Sequence, residues 1–83
     1  MEIEKKIEAI LFWKGEPMSR KKLGEVLKAS EEEINAGLEK LKENLKNRGI
    51  VLIENGTEIA LGTAPELSDM IENLQKEELN KEL

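Results

Sequence analysis

The chain has 83 residues, enough for one small domain. Its net charge is −5, with 37% charged and 39% hydrophobic residues, which favours a folded domain with a heavily charged surface over a disordered polyanion. Cysteine and histidine are absent, which excludes disulfides, thiol nucleophiles and the commonest general base and metal ligand. No apolar run approaches the roughly 20 residues that span a bilayer, and the N-terminus lacks a signal-peptide core. We therefore expect a cytoplasmic protein without a membrane, metal or cofactor site.

Two helices are predicted in the first third of the chain. The first runs from about Glu2 to Lys14 and ends at Gly15, and residues 16–19 form an extended link. Its apolar stripe consists of Ile3, Ile7, Ile10 and Leu11. Ser19 is the predicted N-cap of a second helix, from about Arg20 to Lys28. The inward positions of the second helix are Leu23, Val26 and Leu27.

A third helix begins at Ser30, where Ser30 and Glu33 have the spacing of a capping box. Its inward stripe is Ile34, Leu38, Leu41 and Leu45. Gly49 is the predicted C′ residue. Gly37 lies inside the helix, where glycine costs about 1 kcal/mol relative to alanine, so we expect close helix packing there.

A β-hairpin follows the third helix. Its strands are predicted over residues 50–54 and 57–62, joined by a type I′ turn at Asn55-Gly56. This turn would set Glu54 opposite Thr57, with the next same-face pairs being Leu52–Ile59 and Ile50–Leu61. The four apolar members of these pairs then share the face of the hairpin that meets the core.

A capping box at Thr63–Glu66, with Pro65 in the first turn, predicts a last helix. Its apolar stripe is Leu67, Met70, Ile71 and Leu74. The order helix, extended link, helix, tight turn, helix, hairpin and helix predicts an α+β, mostly helical fold, the winged helix-turn-helix. We assign residues 1–62 to this domain and residues 63–83 to a C-terminal helix that packs on it and leads to an absent second winged-helix domain.

Two stretches of the chain resemble the segregation and condensation protein B family. The first, residues 7–19, reads IEAILFWKGEPMS and is similar to the family's opening helix and its Gly-Glu-Pro-hydrophobic-Ser turn. The second, RGIVLIE over residues 48–54 with TAPEL over residues 63–67, is similar to the family's wing and the Thr-x-Pro-Glu step behind it. The ordered set spans nearly all 83 residues.

This resemblance implies a non-enzymatic scaffold subunit for chromosome condensation and segregation, associated with the nucleoid. Family members form homodimers and join a kleisin subunit, ScpA-like, and an SMC ATPase. The first winged-helix domain mediates dimerisation and the second takes much of the kleisin contact. It follows that a chain with the first domain alone self-associates but holds the kleisin poorly.

The alternative function is a DNA-binding winged-helix transcriptional regulator. Such proteins usually place the N-terminal end of the third helix in the major groove. Here that end reads Glu31-Glu32-Glu33, and the helix and its exit through Arg48 carry five acidic and four basic residues. Because neutralising phosphates drives most DNA binding, this helix is unsuited to direct reading of DNA. The three glutamates also complement the helix macrodipole.

Two sets of residues are candidates for surface contacts. A possible basic contact face comprises Lys14, Arg20, Lys21, Lys22 and Lys28, although such lysines are often only a solvated surface. The candidate dimer or partner interface comprises Phe12, Trp13, Val51 and Ile53. Phe12, Val51 and Ile53 lie off the predicted core faces and Trp13 lies at the edge of the stripe, and exposed aromatic residues favour interfaces. The alternative is that neighbouring elements bury them.

Overall fold

The computed structural model describes residues 1–81 and contains four α-helices and a three-stranded antiparallel sheet. The helices are α1 (Ile3–Lys14), α2 (Arg20–Leu27), α3 (Glu31–Asn44) and α4 (Ser68–Lys81), and a short 3-10 turn, η1 (Pro65–Leu67), precedes α4. The strands are β1 (Met18–Ser19), β2 (Ile50–Asn55) and β3 (Glu58–Thr63), with β3 in the centre of the sheet. The predicted winged-helix fold is confirmed, and the extended link supplies its short first strand.

The ends of the first three helices follow their local sequence signals. Gly15 ends α1 in the left-handed conformation, and its N–H donates to the carbonyl of Leu11. Ser19 caps α2 by accepting from the N–H of Lys22, 3.0 Å away. At α3, Ser30 and Glu33 form the complete capping box, with reciprocal bonds of 3.0 and 3.1 Å. The predicted caps of α2 and α3 are therefore correct.

The core is a single layer of aliphatic side chains where α1, α2 and α3 meet the hairpin. Its fully buried members are Ile7, Leu11, Leu23, Ile34, Leu38, Leu41 and Ile59. Val26, predicted to point inward, is half-exposed. The short helix α2 packs mainly against α3 and the two-residue β1, where Leu23 is fully buried and Leu27 is partly buried.

Two boundaries differ from the sequence prediction. Helix α3 ends at Asn44 with Leu45 as its C-cap, and the left-handed residue beyond it is Asn47, with φ 61°. Gly49 is not the C′ residue; its carbonyl accepts the N–H of Ala64 at 2.8 Å, and Leu67 packs over it. A Cβ atom at Gly49 would lie 3.5 Å from Cδ1 of Leu67, an ordinary contact, so the crossing of η1 does not itself require glycine there.

The hairpin turn lies one residue later than predicted. Asn55 pairs with Glu58, so the loop is Gly56-Thr57, and Gly56 alone has a positive φ, 65°. This is the φ pattern of a type II′ turn, not of the predicted type I′ turn. Each partner on β3 shifts by two residues, which places Leu52 opposite Leu61 and Glu54 opposite Ile59. A two-residue shift keeps every side chain on its predicted face.

The last helix also begins differently. Thr63 ends β3, and Ala64 precedes η1 without a side-chain cap, so the predicted capping box at Thr63 does not form. In residues 1–81, α4 contacts the body mainly through η1. Packing of residues 63–83 along the body, and their lead into a second domain, stay predictions, and residues 82–83 lie outside the described part of the chain.

The close approach of α1 and α3 generates a first testable prediction. A Cβ atom at Gly37 would lie 2.9 Å from Cδ1 of Ile7 and 3.0 Å from Cγ2 of Ile3. We expect Gly37→Val to lower the free energy of unfolding by about 1–3 kcal/mol, because the buried Ile7 has no space to yield. Urea unfolding measures this change. The matched control is Ala36→Val, at an exposed position of the same helix, and an equal loss in both variants would contradict the packing explanation.

Candidate protein–protein interface

The hairpin is tied to the helix-turn-helix through the carboxylate of Glu54. Its Oε1 lies 2.9 Å from Nζ of Lys42 on α3 and 3.2 Å from Nη2 of Arg20 on α2. Arg20 also donates through Nη1 to the carbonyl of Gly56, 3.3 Å away, and its backbone N–H donates to the carbonyl of Thr57. One carboxylate therefore joins α2, α3 and the wing.

These contacts displace the pKa values of both partners. The hydrogen bond from Lys42 lowers the pKa of Glu54. Desolvation opposes this lowering to a smaller extent, and the positive charges of Lys42 and Arg20 add to it. The hydrogen bond to Glu54 in turn raises the pKa of Lys42. Both groups are charged throughout the neutral range, so the wing is held by ion pairs across that range.

The acidic start of α3 is partly engaged in its own cap. The hydrogen bond from the backbone N–H of Ser30 lowers the pKa of Glu33, whose carboxylate is thereby fixed at the helix end. Glu31 and Glu32 are exposed beside it. The end of α3 that a DNA-reading winged helix would insert into the groove therefore presents negative charge.

The predicted basic face is divided by the structure. Arg20 is held by Glu54, and Lys14 lies 3.5 Å from Glu16. Lys21, Lys22 and Lys28 have no ion pair among the described residues. Lys28 ends α2 with a left-handed φ of 53°. Arg20 thus has a structural contact, and whether the remaining lysines bind a partner stays a prediction.

Phe12 and Trp13 are the largest exposed apolar side chains in the described residues, at 81% and 82% exposed. Phe12 borders a groove of about 690 Å³ between α1 and the hairpin, whereas Trp13 lies outside this groove. The lining residues are Lys5, Glu8, Ala9, Phe12, Leu45, Arg48, Gly49, Ile50 and Leu61. We call this surface the α1–hairpin groove.

Val51 and Ile53 lie on the other face of the hairpin, away from the core. There Val51 pairs with Gly62 and Ile53 with Ala60, and a Cβ atom at Gly62 would overlap Cδ1 of Ile53. The outer face is therefore a flat apolar strip on β2, which is an edge strand of the sheet. The structure does not bring the four predicted interface residues together, since Phe12 and this strip are on opposite faces of the hairpin.

Several other apolar residues are accessible and were not among the predicted interface residues, four of them at the groove or on the α4 stripe. Ile50 and Leu61 belong to the core-facing side of the hairpin but also line the α1–hairpin groove. Met70 and Leu74 on α4 are 56% and 52% exposed. The helical spacing of Met70 and Leu74 predicted that another element covers them. No signal in the sequence indicated that the rest of the domain leaves these two side chains exposed.

The described residues contain neither a metal-binding cluster nor a membrane-spanning helix. No group of three or more acidic, cysteine or histidine side chains has the arrangement of a metal site. No described helix has the length and hydropathy needed to cross a membrane.

Comparison with known proteins identifies the family. Residues 5–83 match the family model of the segregation and condensation complex subunit ScpB. The chain belongs to the ScpB family. It is 41% identical over 76 residues to segregation and condensation protein B of Carboxydothermus hydrogenoformans, and 32% identical over 79 residues to the protein of Clostridium botulinum strain Kyoto. The matches cover 89% and 93% of this chain, which spans 41% of the length of each relative.

A solved relative has the same fold. The crystal structure of a dimer of an ScpB N-terminal domain complexed with an ScpA peptide superposes with a TM-score of 0.77 and 32% sequence identity. The match covers 86% of this chain and 91% of that chain. The region described here therefore corresponds to the N-terminal winged-helix domain of the ScpB relative.

The Glu54 ion pairs generate a pH-dependent prediction. Because the pKa of Glu54 is lowered on folding, its contribution to stability is complete at neutral pH and is lost as the pH falls through that lowered pKa. We expect Glu54→Gln to lower the free energy of unfolding at pH 7 by less than about 1 kcal/mol, since the groups are partly solvated. The difference from wild type should disappear in acid.

Urea unfolding at a series of pH values measures this difference. The control is Glu58→Gln, which removes the same charge from the hairpin at a position with no ion pair among the described contacts. A Glu54→Gln effect that persists after acidification would show that the side chain acts through packing and not through its charge.

Proposed function

We propose that this chain is a non-enzymatic scaffold subunit of an SMC–kleisin, condensin-like complex for chromosome condensation and segregation. It acts in the cytoplasm at the nucleoid. The observation that carries the proposal is the pair of aromatic side chains, Phe12 and Trp13, left more than 80% exposed on a domain with a highly charged surface. Exposed aromatic residues at an apolar groove are typical of protein–protein contact. Family membership indicates which assembly this contact serves.

The two separated apolar surfaces suit two different contacts. We assign the α1 surface with Phe12 and Trp13 to a second copy of the chain, since the solved relative is a dimer. We assign the outer strip with Val51 and Ile53 to the kleisin subunit, since an extended peptide pairs with an exposed sheet edge and fills its apolar positions. The solved N-terminal domain holds an ScpA peptide. This disfavours the expectation that a chain with the first domain alone holds the kleisin poorly.

Paired variants test this assignment. We expect Phe12→Ser to weaken self-association at least about tenfold, because a buried aromatic contact is lost, and to leave peptide binding unchanged. Ile53→Ser should weaken binding of a fluorescein-labelled ScpA peptide and leave self-association unchanged. Sedimentation velocity measures the first property and fluorescence anisotropy the second. Val26→Ser, which removes an exposed apolar side chain from α2, controls for general effects on the surface.

Two outcomes would contradict the proposal. A wild-type chain that remains monomeric at high micromolar concentration would argue against the dimer. If both variants change self-association and peptide binding equally, the two surfaces do not have separate partners.

A DNA titration separates this proposal from a transcriptional regulator. We expect the anisotropy of a labelled random duplex to stay flat at low salt, because Glu31 and Glu32 face the position of the phosphates and Glu54 holds Arg20. Low salt strengthens any electrostatic binding, so a flat curve is informative. Tight binding that weakens steeply with added salt would favour the regulator. The variant Lys21→Gln would then show whether the basic face makes the contact.

A further inference from the structure

Helix α4 has an apolar stripe that the described body leaves largely uncovered. Leu67 and Ile71 are half-buried near its base, while Met70 and Leu74 are more than half exposed. The four residues follow the i, i+3, i+4, i+7 spacing and therefore share one face. Lys76 lies on the opposite face by the helical period. The stripe is therefore available for contact with a partner.

The chain exposes more surface than a compact protein of its mass. A compact protein of 9.4 kDa has an accessible surface of about 5,000 Å². The accessible surface of this chain is 6464 Å², about 1,450 Å² more than that of the compact protein. A stable protein–protein interface buries about 800 Å² on each partner. The excess is therefore large enough for a full interface.

The chain is also elongated. The radius of gyration is 14.9 Å, against about 12 Å for a compact chain of this length. The longest axis is 48 Å and the other two are 26 and 25 Å. A helix of 14 residues is about 21 Å long, which accounts for the difference. Helix α4 contacts the rest of the domain mainly through η1, so a helix of this length that extends away from the body would give the observed shape.

The α1–hairpin groove has the chemistry to receive this stripe. One wall is formed by α1 through Lys5, Glu8, Ala9 and Phe12, which share a face by their i, i+3, i+4, i+7 spacing. Leu45, Ile50 and Leu61 supply apolar surface between this wall and the hairpin. An amphipathic helix recognises an apolar groove of this kind through residues at the same spacing.

The charges around the two surfaces are complementary. Lys5 and Arg48 outnumber Glu8 at the groove, and neither has an ion pair among the described residues. Acidic residues at positions 66 and 77 border the α4 stripe, and Glu78 continues its face one turn beyond Leu74. Opposite charges at the rim set the orientation of two partners and favour correct docking.

We propose that α4 of one copy lies in the α1–hairpin groove of a second copy, and that the exchange is reciprocal. Each copy then contributes one helix and one groove, so a two-fold axis closes the dimer without leaving either surface open. The inference rests on the proposed dimerisation and specifies its surfaces. It also places Phe12 against the helix of the partner copy.

Cross-linking between two different copies tests the exchange directly, because the natural chain contains no cysteine. One preparation carries Leu74→Cys and the other Ala9→Cys, and the mixture is treated with a short bifunctional maleimide. We expect a covalent dimer that contains one chain of each type. The matched control replaces Leu74→Cys with Lys76→Cys, on the opposite face of α4, and should give little product.

Self-association of two charge variants supplies an independent measurement. Leu74→Glu should raise the dimer dissociation constant at least about tenfold, because it sets a charge within an apolar contact. Asn73→Glu adds the same charge at the neighbouring, exposed position off the stripe and should dimerise like wild type. Circular dichroism and urea unfolding establish that both variants fold equally well.

The outcomes separate this inference from the proposed function. If wild type dimerises but Leu74→Glu dimerises equally well and no cross-link forms, the exchange is wrong and the scaffold function stands. If the chain with both cysteines cross-links within a monomer, α4 occupies its own groove and the exchange is likewise overturned. If wild type does not self-associate at all, the proposed dimerisation itself fails.

Discussion

The close contact between α1 and α3 at Gly37 is the constraint on which the rest of the domain depends. With no side chain at Gly37, Ile3 and Ile7 of α1 reach the backbone of α3, and the aliphatic layer closes around Ile7. The cost of glycine inside a helix, about 1 kcal/mol, is offset by this closer packing. The consequence extends to the surface, since docking one face of α1 so deeply turns the face with Ala9 and Phe12 toward solvent beside the hairpin. The groove is therefore a product of how the core is packed.

A second constraint fixes the wing. Glu54 accepts from Arg20 and lies within ion-pair distance of Lys42, so charges that a DNA-binding relative could direct at phosphates are used within the domain. The acidic N-terminal end of α3 likewise disfavours contact with phosphates, and Glu33 is used there in the helix cap. Because desolvating such charges gives little net stability, their main effect is to fix the position of the hairpin. The winged-helix scaffold is kept, while the surfaces left for recognition are apolar and suited to protein partners.

Local signals in the sequence were sufficient for the helices and for the faces of the strands. Ser19 and Ser30 mark helix starts because a cap depends only on residues three positions apart. The hairpin register was not predictable in the same way, because pairings two residues apart expose the same faces and Gly56 suits either turn. The observed register is supported by distant contacts, including the pairing of Met18 with Ile59 and the ion pairs of Glu54. Such contacts have no local signature in the chain.

The candidate interface shows the same division between local and distant information. Phe12 could be singled out because the helical period places it away from the stripe of α1, a property of 12 consecutive residues. Ile50 and Leu61 could not be singled out, because an apolar residue on the inner face of a hairpin is expected in the core, and its exposure depends on how far α1 extends over it.

The apolar stripe of α4 shows this limit of local information most clearly. Its spacing predicts that Met70 and Leu74 are covered, but a periodic pattern does not specify whether the covering surface belongs to the same chain. In a domain of this size, one layer of side chains already fills the core, so an apolar stripe can remain at the surface and be available to another molecule.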